Sequence, residues 1–180
     1  GLSVLLNNTF GFLGVIAIAY FLGAFMPTLL ICITLLLLRP AAGGAHCSNP
    51  LCCNLFGFIF IPLIGAGVVY LANCAPAVTY FYIFVATIIA LYGISLNAPY
   101  FTQEKPRAES RRSFLKTYAL MATVLLFAFA LILIAYKSVL FGLAISTGLL
   151  FQGIMLLPPG IKGTMFLDNL INRKVLRKGG

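Results

Sequence analysis

The residues best equipped for chemistry lie together between Arg39 and Leu55, in the stretch RPAAGGAHCSNPLCCNL. This stretch holds the single histidine, His46, and three of the five cysteines, Cys47, Cys52 and Cys53, preceded by Arg39 and the pair Gly43-Gly44. An imidazole within reach of a thiol supplies a nucleophile and its acid–base partner. A continuous helix would hold His46 and Cys53 about 10.5 Å apart along its axis, whereas direct proton transfer needs about 3 Å. The segment must therefore fold back. Gly43-Gly44 opens backbone angles closed to other residues, and Pro50 disfavours helix at Asn49. Asn49 then reads as an N-cap and Pro50 as a first helical residue. Cys52 and Cys53 would occupy the first turn, where the helix dipole and free amides favour a thiolate.

The competing use of His46, Cys47, Cys52 and Cys53 is a soft-metal site such as zinc. The C-x4-C-C spacing lacks the C-x2-C hairpin and no second ligand pair follows, so no metal and no cofactor is expected. Cys32 and Cys74 read as packing residues in membrane helices. Arg39 has two possible uses, gripping a substrate carboxylate or capping helix carbonyls. A third residue to orient the histidine is not evident; Glu104, Glu109, Asn49 and Asn54 are the candidates.

The elements that must position these groups are set by composition. The chain has 180 residues, 62% of them hydrophobic, with twelve basic and three acidic side chains and a mean hydropathy of +1.07. An ordinary soluble domain has about a quarter of its residues charged. The apolar stretches are continuous rather than alternating, which argues against a β-barrel. The class is all-α: a polytopic membrane protein with about six transmembrane helices. Hydropathy places them at Val4–Ala24, Pro27–Leu38, Leu55–Ala72, Ala77–Leu96, Tyr118–Tyr136 and Val139–Leu157. The second is short for a hydrocarbon core of about 30 Å. After them, residues 161–180 form a basic tail with apolar residues at helical spacing, an amphipathic helix suited to the membrane interface and its lipids.

The net charge of +9 is gathered in two places. One is the loop 97–116, with Lys105, Arg107, Arg111, Arg112 and Lys116; the other is the C-terminus, with Lys162, Arg173, Lys174, Arg177 and Lys178. No basic face with interleaved aromatics accompanies them, so no nucleic-acid partner is expected. Lysine and arginine flanking spans mark the cytoplasmic side. Alternation then places both chain ends, the 97–116 loop and the 39–54 segment in the cytoplasm, where thiols stay reduced. Residues 1–180 read as one integral membrane domain. The chain begins at Gly1 and shows no cleavable signal pattern.

These residues resemble the accessory gene regulator B (AgrB) family of bacterial quorum-sensing systems. Its pattern of arginine, glycine pair, histidine and cysteine falls here on Arg39, Gly43, Gly44, His46 and Cys53. A second match is NAPYFTQEKP, similar to the family's Ala-Pro segment ending in Lys-Pro, here Ala98, Pro99, Lys105 and Pro106. Span count and loop placement extend the similarity over nearly the whole chain. The family normally carries a stretch before the first span, so a truncated N-terminus is expected, and the cysteine position is doubled as Cys52-Cys53. The resemblance implies a cysteine endopeptidase of the bacterial cell membrane, acting as a homodimer on an AgrD-like propeptide. It would cut on the C-terminal side of the pheromone segment through an enzyme thioester and promote closure of a thiolactone or lactone ring. Cys53 would be the nucleophile and His46 the proton donor, with Arg39, Gly43, Gly44, Asn49 and Cys52 supporting. The alternative class is a non-enzymatic peptide transporter or export subunit. Spans nearly free of ionisable residues argue against ion-coupled transport, and the reactive cluster favours an enzyme.

Overall fold

The computed structural model describes residues 2–45, 50–100 and 111–177. They form seven helices: α1 (Leu2–Phe21), α2 (Phe25–Ala42), α3 (Pro50–Leu71), α4 (Pro76–Asn97), α5 (Arg112–Ala135), α6 (Val139–Leu156) and α7 (Pro158–Arg177). Five of them, α2 to α6, are long and apolar enough to cross a membrane, and α1 contributes the shorter apolar stretch Thr9–Phe21. Large apolar side chains face outward along them, among them Leu36, Phe81, Leu125 and Tyr136. In a soluble protein such a surface would aggregate; on spanning helices it meets lipid. The architecture is that of a multi-pass helical membrane protein.

The helix ends follow local chemistry. Pro50, Pro76 and Pro158 each open a helix, at a position where the missing N–H is not needed and φ is already helical. The break after α6 is therefore Leu157, and Pro158-Gly160, a turn signal by composition, is the first turn of α7. Helix α2 runs to Ala42 rather than ending near Leu38, carrying Arg39 and Pro40 in its last turn. Eighteen residues at 1.5 Å per residue give it about 27 Å, close to a full crossing. Hydropathy ends that span early because an arginine and a proline lower the average.

Helix α6 is the hub. It packs against α2, α4 and α5, and more lightly against α3 and α7. Small residues allow the approach: a Cβ on Gly153 would stand 2.7 Å from the Ala90 Cα, and one on Gly93 would stand 2.7 Å from the Gly153 carbonyl oxygen. Without a hydrophobic driving force between helices in lipid, such backbone contacts carry the packing. Helix α1 leans mainly on α3, with Gly14 against Phe58 and the Phe10 and Phe58 rings edge to face at 6.1 Å.

Candidate functional site

The end of the bundle that carries the basic residues of α5 and α7 also gathers the chemistry. Helix α2 ends there at Ala42, α3 begins at Pro50, α4 ends at Asn97, α5 begins at Arg112, and α6 gives way to α7. Hydrogen bonds tie these ends together, among them one from the Ala45 N–H to the Met155 carbonyl at 3.5 Å. The Tyr100 N–H donates to the Ala42 carbonyl at 3.0 Å and the Gly44 N–H to the Tyr100 carbonyl at 3.4 Å, a short parallel bridge between Gly43 and Tyr100. Asn97 Nδ2 donates to the Leu156 carbonyl at 2.9 Å. The two segments singled out by sequence, one ending in the glycine pair and one containing Ala98-Pro99, therefore lie side by side.

Gly43 is required by this contact. Its φ of 72° lies in the left-handed region, costly for a residue with a Cβ. A Cβ there would also collide with the Tyr100 carbonyl oxygen. Beyond it, Ala45 is buried. His46, Cys47 and Asn49 lie outside the described residues, as do Lys105 and Pro106 with the rest of 101–110. The side chain of Cys52, on the first turn of α3, is likewise outside them. The soft-metal alternative depends on that same group.

Arg39 and Cys53 come together. A cavity of about 420 Å³ opens between α1, α2 and α3, lined mostly by apolar groups and including Cys32, Arg39, Cys53 and Asn54. A second, small cavity of about 40 Å³ shares Arg39 and Cys53 with the first and is bordered by Ala45, Met155 and Thr164. Ala45 directly precedes His46. The Arg39 guanidinium interacts electrostatically with the sulfurs of both Cys53 and Cys32. Its Nε is buried and finds no hydrogen-bond partner among the described residues. Burying a donor without a partner is costly.

Two contributions were not read from sequence. Cys32, taken for a packing residue, lines the larger cavity opposite Cys53. Gln152 on α6 is fully buried and donates from Nε2 to the Gly43 carbonyl at 2.8 Å. The signal for Gln152 was available, as the sole carboxamide in an otherwise apolar span.

The model of the family described as Accessory gene regulator B matches residues 1–156. Among curated proteins, the chain is 30% identical over 161 residues to accessory gene regulator protein B of Staphylococcus aureus strain Newman, covering 88% of this chain and 79% of that one. It is 25% identical over 164 residues to the protein of that name from strain JH9, covering 88% and 80%. No solved structure matches.

Proposed function

The chain belongs to the accessory gene regulator B family, and with it to the agr quorum-sensing system, and from that premise we propose that it is a membrane-embedded cysteine endopeptidase. Its substrate is an AgrD-like propeptide, cut C-terminal to the pheromone segment. The observation that carries this reading is the pair of cavities shared by Arg39 and Cys53, one of them bordered by the residue just before His46.

The Cys53 sulfur lies on the first turn of α3 beside the Arg39 guanidinium and gives its proton to His46. The thiolate attacks the scissile carbonyl and a C–S bond forms. Arg39, which lines the cavity, stabilises charge developing on substrate oxygen. As the C–N bond breaks, His46 protonates the departing amine. The acyl group, now a thioester, passes to the substrate's own cysteine or serine, which releases Cys53 and closes the ring. Thioester exchange is nearly balanced, so exclusion of water decides the yield; the apolar walls of the cavity serve that need. Gly43 and Gly44 support the bend that precedes His46 in the chain, and Asn49 and Cys52 are further supporting residues of the proposed site.

The basic loop and tail mark this end of the bundle as cytoplasmic, in the bacterial cell membrane, and α7 lies along the lipid surface. The working unit is a homodimer. Co-expression of the chain with the propeptide encoded in a short frame beside its gene tests the reading, using wild type, Cys53→Ala, Cys52→Ala and His46→Ala. Processing is expected from wild type and Cys52→Ala and lost in the other two. Full processing by Cys53→Ala would refute the assignment.

A further inference from the structure

We propose that Gln152 is a positioning residue for this site, acting through the glycine bend whose Ala45 borders the small cavity with Arg39 and Cys53; the inference rests on the peptidase reading above. Gln152 lies on α6, 109 residues away in sequence from the backbone group it holds. A buried carboxamide on a membrane helix is costly unless it bonds within the protein. Gln152 spends its donor on a single carbonyl, that of Gly43. Its Oε1 has no partner among the described residues, so the side chain is not placed to satisfy itself fully. What it does satisfy is the bend in the chain three residues before His46.

The geometry around that bend is held from two directions. From α4, the Tyr100 backbone grips Ala42 and Gly44 on either side of Gly43 and fills the space of a Gly43 Cβ. From α6, Gln152 fixes the Gly43 carbonyl, while Met155 borders the cavity where Ala45 and Cys53 meet. Tyr100 closes the bend against its neighbouring loop, and α6 ties it to the hub of the bundle twice, through Gln152 on the Gly43 carbonyl and through the Met155 carbonyl, which accepts from the Ala45 N–H at 3.5 Å. Of these ties, Gln152 supplies the one side chain, and its bond is the shorter of the two from α6. A group acting this way touches neither substrate nor thiol. Its loss is expected to lower turnover through misplacement of the bend beside Cys53, where about 1 Å can cost about a hundredfold, with substrate affinity kept.

The test uses the full chain in lipid vesicles with a synthetic propeptide copied from the reading frame beside the gene, rates being normalised to folded protein. Q152L keeps the volume and removes the donor; kcat should fall about tenfold or more with KM within about threefold. Q152M, unbranched like glutamine but without a donor, should lose kcat to the same extent as Q152L. Tyr82→Phe removes another buried bond to α6, the 2.9 Å contact with Thr147 Oγ1, and should leave kcat unchanged. Q152L turning over like wild type, a change in KM alone, or an equal loss in Tyr82→Phe would overturn the inference. If Q152L does not fold, Q152M decides: wild-type turnover in that variant overturns the inference. Cleavage that persists in Cys53→Ala would instead sink the peptidase reading, whatever Gln152 does.

Discussion

Around α6, helices α2, α4 and α5 approach until backbone meets backbone, with Gly93 and Gly153 on one crossing and Gly148 against Thr34 on another. Across the bundle, α1 and α3 cover each other through aromatic side chains and leave a 420 Å³ opening toward α2. The contrast appears in burial: 72% of the α6 span lies inside the protein against 17% of the α3 span. Arg39 comes from the tight half and Cys53 from the loose half, and the site occupies the seam between them. A rigid hub can fix the cation and the glycine bend, while a loosely packed wall can admit an extended peptide. Such a division of labour suits a membrane peptidase, which must hold its catalytic groups still and yet receive a chain.

Breaking the tight half should cost most. Gly153→Val places a branched side chain against the Ala90 backbone, where nothing can rotate away; a loss of about 3 kcal/mol or more is expected, read as a large fall in thermal midpoint in detergent. Filling the loose half should separate function from stability. A Cβ on Gly57 would meet only Val15 at 3.7 Å, yet Gly57 borders both cavities. Gly57→Leu is expected to hold the thermal midpoint within a few degrees while propeptide cleavage falls about tenfold, as access to the thiol is obstructed. Equal damage to stability from both glycine substitutions would erase the distinction between the halves.

Smaller effects sharpen it. Tyr82→Phe deletes the hydrogen bond to Thr147 inside the tight half and should cost about 1 kcal/mol with cleavage unaffected. Phe81→Ala, on an outward face of α4, should change stability by less than about 0.5 kcal/mol, as measured by the same thermal melts.

How far the sequence reaches is instructive. Continuous apolar runs located the spans, because lipid demands them regardless of partner. The boundary of α2 was missed at Arg39, since hydropathy treats a cation as an end, whereas here the helix carries it into the wall of a cavity. The glycine pair announced an unusual backbone, and the φ of Gly43 bears that out. Its partner, the Tyr100 carbonyl, could not be read, because no local rule pairs residues more than fifty positions apart. Gln152 shows the opposite failure: the residue was conspicuous among apolar neighbours, but its meaning depended on a contact 109 residues away. The grouping of Arg39 with Cys53 was suggested by the family pattern and becomes a shared cavity only once α2 and α3 are packed.

The central claim is that the Cys53 thiol carries the acyl group. Rapid quenching in acid of wild-type protein mixed with propeptide, followed by digestion and mass spectrometry, tests it directly. The account predicts a hydroxylamine-labile adduct, with the mass of the N-terminal substrate fragment, on Cys53, and its absence in Cys53→Ala. The same adduct on Cys52, or processing with no acyl-enzyme at all, would contradict it.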